Sequence, residues 1–181
     1  MQPHRLLMAE HQTILHMTTD IGRRVARFRE SGQVDLVYVD TSTDFIHSYA
    51  DRCHHGKEQG ILFRDAAKKD LDPKLAQLMD QLTQEHAWAR TLTERLVAAN
   101  QAYREGESGA LERVLTALKN IASFYPAHIT KEESRFFGPC MEFFTESAQE
   151  AMLVEFAEFD RNLIHEKYQR IVEDLARESL D

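Results

Sequence analysis

Glycine and proline are scarce in this 181-residue chain, at 7 and 4 residues. Turn-rich all-β folds need both in quantity, so the shortage points to long helices. Cysteine is scarcer still. Cys53 and Cys140 form no CxxC pair, and free, reduced thiols in a cytoplasmic protein are the expected state. No apolar run approaches the roughly 20 residues that span a bilayer. The first residues lack the apolar core and cleavage site of a secretory leader. Basic residues are also short, 22 against 30 acidic ones, for a net charge of −8. Such a chain is expected to bind neither nucleic acid nor an anionic membrane, since both require phosphate neutralisation. There is no HExxH, no glycine-rich phosphate loop and no evident Ser-His-Asp arrangement.

What is present is helical periodicity. Leu7, His11, Ile14, Thr18, Ile21, Val25 and Phe28 alternate by 4 and 3 and predict a first helix over about 3–31. Ser31-Gly32 ends it. A linker over 33–43, holding the β-like run Leu36–Val39, leads to a second helix reaching about Lys68, with Asp40, Thr41 or Ser42 as caps. Asp72-Pro73 opens a third helix to about Arg104, whose seam is Leu75, Leu78, Leu82, His86, Ala89, Thr93 and Leu96. A fourth begins near Gly109, carries Pro126 inside its pattern, and closes at Phe136–Pro139. Pro126 removes a backbone donor and is expected to loosen or kink this helix just before His128. A fifth covers about 147–178. The predicted fold is all-α, an up-and-down four-helix bundle over about 3–140 with an additional C-terminal helix, together one domain spanning 1–181.

A repeat runs through the first four helices. Glu10-His11 is followed 43 positions later by His54-x-x-Lys57-Glu58 and closed by Phe63. Glu85-His86 is followed 42 positions later by His128-x-x-Lys131-Glu132 and closed by Phe137. His11, His54, His86 and His128 each fall on the core face of a different helix. Glu58 and Glu132 stand one turn beyond a His on the same face. Any one core His reads best as a hydrogen-bonded packing residue. Four imidazoles and two carboxylates in one core are costly without something to bind, and a divalent metal pair relieves that cost. The symmetry suggests one metal at His11 and His54, another at His86 and His128, with Glu58 and Glu132 bridging. Imidazole suits Fe, Zn, Cu and Ni.

The order His…HxxxE…His…HxxxE on four successive helices resembles the hemerythrin-like family (HHE cation-binding domains). The segments 54–63 and 128–133 carry the resemblance, which covers about residues 4–140. It implies a non-haem di-iron cofactor binding O2, or a related ligand such as NO or peroxide, for sensing, storage or transport. The alternative it carries is a di-iron enzyme acting on peroxide or NO, or an iron-delivery and iron-cluster repair protein; binding is favoured over catalysis. Oxygen carriers of the family have a fifth His one turn from the third-helix His. Here Leu82 and Arg90 occupy the positions four away from His86.

Three spare histidines are candidates for that gap. His47 is on the face of His54 but about 10 Å along the axis, in the next layer. His55 points about 100° away from His54 on an α-helix and stands as its substitute. His165 reaches the site only if the fifth helix covers an open end. Tyr125, one turn before His128, either packs in the core or directs its hydroxyl at a bound ligand. Glu10 and Glu85 either face solvent or orient an imidazole through its other N–H. Phe45, Phe124 and Trp88 read as bundle core. The fifth helix suits a cover, a homodimer face or a partner dock.

Overall fold

Pro3 in the first turn and Gly32 at φ 69° bracket the first helix, α1 (Pro3–Ser31), and its seven-residue stripe is buried. Proline there loses no hydrogen bond, and the left-handed glycine ends the helix without a Cβ clash. These features belong to a computed structural model that describes residues 2–178, with side chains over 2–163.

The second helix, α2, covers 36–66 and starts earlier than predicted. Its cap is Asp35, which accepts the Tyr38 backbone N–H at 3.1 Å, not Asp40, Thr41 or Ser42. The β-like run Leu36–Val39 becomes its first turn, because burial of Val39 overrides the weak local preference. α2 then departs from α geometry. It is π-helical over Ile46–His55 and again over Glu58–Phe63. Asp72 caps α3 (Pro73–Arg104) by accepting the N–H groups of Lys74 and Leu75 at 2.9 and 3.1 Å.

The fourth helix, α4, covers 110–141. It is α-helical over Ala110–Lys131, π-helical over Glu132–Phe136 and α-helical again over Phe137–Met141. It therefore runs through Pro126 unbroken and past the predicted closure. α5 (Glu146–Glu178) follows. No strand occurs among the described residues.

α4 packs on α1 and α3, α2 on α3 and α1, and α5 on α1 and α2. This is an all-α bundle of four helices with a C-terminal fifth. Its apolar interior is divided. One core gathers Ile14, Val39, Ala89, Leu118 and Ile129. The other gathers Leu7, Leu62, Leu82, Phe136 and Phe156. The repeated histidines and glutamates occupy the layer between.

Candidate metal centre

Each bundle helix sends a polar side chain into that layer. His11 comes from α1, His54, His55 and Glu58 from α2, His86 from α3, and His128 and Glu132 from α4. All seven are buried, at 2% exposure or less. Their donor atoms fall into two groups. His11, His54, Glu58 and Glu132 form one; His55, Glu58, His86 and His128 form the other. Within each group the donor atoms lie within 4.8 Å of one another.

Glu58 points one oxygen at each group. Its Oε1 lies 3.3 Å from His54 Nε2 and its Oε2 3.3 Å from His86 Nε2. Glu132 does the same from the opposite side. Its Oε2 is 3.3 Å from His11 Nε2 and its Oε1 3.1 Å from His128 Nε2. All four carboxylate oxygens, with Nε2 of His11, His54 and His55, are buried and have no hydrogen-bond partner. Buried acceptors left unpaired are costly, and so many converging on two points fit cations. The donor set, imidazole with bridging carboxylate, suits a transition metal.

The outward nitrogens of His11, His54, His55 and His128 are engaged, which fixes which nitrogen looks inward, whereas His86 Nδ1 is buried without a partner. His54 Nδ1 donates to Glu10 at 2.9 Å and His128 Nδ1 to Glu85 at 2.9 Å. Lys57 bonds the other oxygen of Glu10, and Lys131 the other oxygen of Glu85. The repeat is thus geometric as well as sequential. Each Glu-His pair of an odd helix supports the following helix's histidine through its glutamate. His11 Nδ1 pairs with Glu133 at 2.8 Å. The closing phenylalanines cross over between copies. Phe63 stacks on His86 at 5.7 Å, and Phe137 on His11 at 5.6 Å.

Burial opposes charge on these imidazoles, yet the surrounding carboxylates dominate at two of them. Glu58, Glu10 and Glu132 hold His54 up at about 10; Glu132, Glu85 and Glu58 hold His128 at about 9. His55 goes the other way. Burial and the neighbouring His86 push it well below the usual imidazole range, which leaves it neutral. Burial alone would raise Glu58, but His54 and His86 bring it well below the usual carboxylate range. Glu132 is likewise lowered, by His128 and His11 against burial and Glu58.

His55 is not turned away from the site. Its ring stacks on His86 with centroids 3.9 Å apart, and its Nδ1 faces Asp51 at 3.4 Å. A 100° separation between consecutive residues holds on an α-helix. The π-helical stretch widens the turn and lets both consecutive histidines face inward. The adjacent pair His54-His55 was the one available signal. His47 is exposed, on the rim of a groove of about 930 Å³ between α2 and α3, and is not brought to the site. Asp51 and Arg90 line the same groove. His165 lies outside the residues whose side chains are described. Tyr125 is buried with its ring parallel to that of His55 at 6.0 Å and its hydroxyl unpaired. Phe124 stacks on His128. Trp88 is not core: it is 44% exposed, with Arg95 over its ring.

The sequence model of the hemerythrin HHE cation-binding domain matches residues 2–140. No curated protein and no solved structure matches the chain.

Proposed function

Since the chain belongs to the hemerythrin HHE cation-binding family, we propose that it is a non-haem di-iron protein that binds O2 or a related small ligand. His11 and His54 hold one ion in this reading, and His55, His86 and His128 the other, with Glu58 and Glu132 shared between them. The observation that carries it is the division of each carboxylate between two histidine groups, with every oxygen buried and directed at an imidazole nitrogen.

When bound, a ferrous pair would supply the electrons and the open coordination position that O2 binding needs. The protein's own residues do the rest. Glu10, Glu85 and Glu133 hold imidazole rings in orientation, and Phe63 and Phe137 fix two of them by stacking. The two apolar cores keep bulk water from both ends of the layer. A hydrophobic surround of this kind favours holding a ligand over releasing reactive products. Three histidines against two make the halves unequal, and the shortfall lies at His11 and His54, where room for a ligand is expected. Tyr125, beside His55, has a free hydroxyl in this layer. The groove lined by Asp51 reaches a residue in contact with His55, on the three-histidine side of the layer.

Metal analysis of the purified protein, loaded anaerobically with ferrous iron, tests the reading. Two irons per chain are expected, with new near-UV and visible absorption on exposure to air. His54→Ala and Glu132→Ala should each lose stoichiometric binding. Two tightly held irons in either variant would sink the assignment.

A further inference from the structure

The fifth helix lies beyond the family match, which ends at residue 140, yet it reaches the support of one half of the centre. Asp160 of α5 pairs with Lys57 Nζ at 2.8 Å, and Lys57 in turn bonds Glu10, which holds His54. Cys53 Sγ also donates to Asp160, at 3.3 Å. α5 comes this close because position 56 is glycine. A Cβ there would meet Phe159 at 2.7 Å. Phe156, one turn before Asp160, is buried in the core beside the site.

The other half of the repeat shows what this addition changes. Lys131 bonds Glu85 as Lys57 bonds Glu10, but no second carboxylate meets it among the described residues. Its side chain is 21% exposed, whereas that of Lys57 is 2% exposed. Solvent therefore moderates the charge of Lys131. The charge of Lys57, sealed beneath α5, is moderated by Asp160.

We infer that Asp160 is a positioning residue for the His11–His54 metal position, acting through Lys57 and Glu10. The inference rests on the di-iron reading above. Asp160 shares the ammonium of Lys57, so Glu10 keeps more of its negative charge for the N–H of His54. An imidazole whose outer N–H meets a stronger acceptor is a better metal donor. Without Asp160, Lys57 is left with Glu10 as its acidic partner and draws that carboxylate's charge away from His54. Metal at the His11–His54 position is then held less tightly, while the position of His55, His86 and His128 is untouched.

The test follows release of ferrous iron from the anaerobically loaded full chain to a chromogenic chelator. Wild type should release two irons in two phases. Asp160→Asn should speed one phase only, at the low end of the roughly 10- to 100-fold range seen for outer supports of metal ligands. Gly56→Ala, which forces Phe159 of α5 to shift, should speed the same phase. Lys131→Met, which leaves the full charge of Glu85 to His128, should slow the other phase. General loss of packing would accelerate both phases together, so selectivity separates positioning from mere stability. Helicity by circular dichroism, unchanged in Asp160→Asn, checks that the fold is intact. Equal release rates in wild type and Asp160→Asn, acceleration of both phases, or a single wild-type phase overturns the inference and leaves the di-iron reading standing. Failure of wild type to bind iron overturns both.

Discussion

His54 and His128 give the site a pH dependence that opposes metal loading. In the metal-free protein they sit at about 10 and about 9, both above the ordinary 6.5. A raised value means that protonation favours the folded state. The associated stability is complete below about pH 6.5 and is lost as pH rises through 9 and 10. Thermal unfolding in excess chelator should therefore show a falling midpoint across that alkaline window. A flat profile there would contradict the pairing. Metal must displace the same protons, so loading at pH 7 should release them. Calorimetry in two buffers of different ionisation heat would detect this, and identical heats would count against it. The cysteines behave differently. Burial pushes both Cys53 and Cys140 up to about 12. At pH 8 the folded protein should alkylate much more slowly than the denatured chain, as the thiolate is the reactive form. Equal labelling rates in the two states would refute that.

Among the helices, legibility followed regularity. The stripes of α1 and α3 are strictly α-periodic, and all seven predicted residues of each are buried. Their boundaries rest on local chemistry, Pro3 with Gly32 and Asp72 with Pro73, which sequence displays directly. α2 was harder, because a π-helical turn is set by tertiary demand and leaves no period to detect. That is why His55 looked misdirected; the start at Asp35 was hidden separately, by a β-like run that burial of Val39 turns into helix. The crossing of Phe63 to His86 was equally invisible, since it depends on how helices meet. The Asp72 cap gives an element-scale prediction. Asp72→Ala should cost about 1 kcal/mol of stability, read as a fall of roughly 2–4 °C in the unfolding midpoint. An unchanged midpoint would mean that packing alone fixes the start of α3.

The whole molecule is a polar layer between two apolar cores, tied together by ligands from four helices. Such a layer should unite the cores into one folding unit. One cooperative unfolding transition is expected for the full chain, as the single-domain reading over 1–181 requires, and two separated transitions would divide it. Ferrous iron should raise the midpoint in proportion to its affinity and concentration. Chelation that leaves the midpoint unchanged would argue that the centre does not bind metal under those conditions. No described helix is long and apolar enough to cross a membrane.

The pairing of His11 with Glu133, 122 positions apart, also sets an order of events during synthesis. A ribosome exposes α1 long before α4, so no complete centre exists until nearly the whole bundle has emerged and docked. A complete centre for metal is then expected no earlier than the docking of α4. Until metal binds, the interior supplies its own cations. Charged imidazoles at His54 and His128 lie against Glu58 and Glu132 and act as placeholders for the cations that later evict their protons.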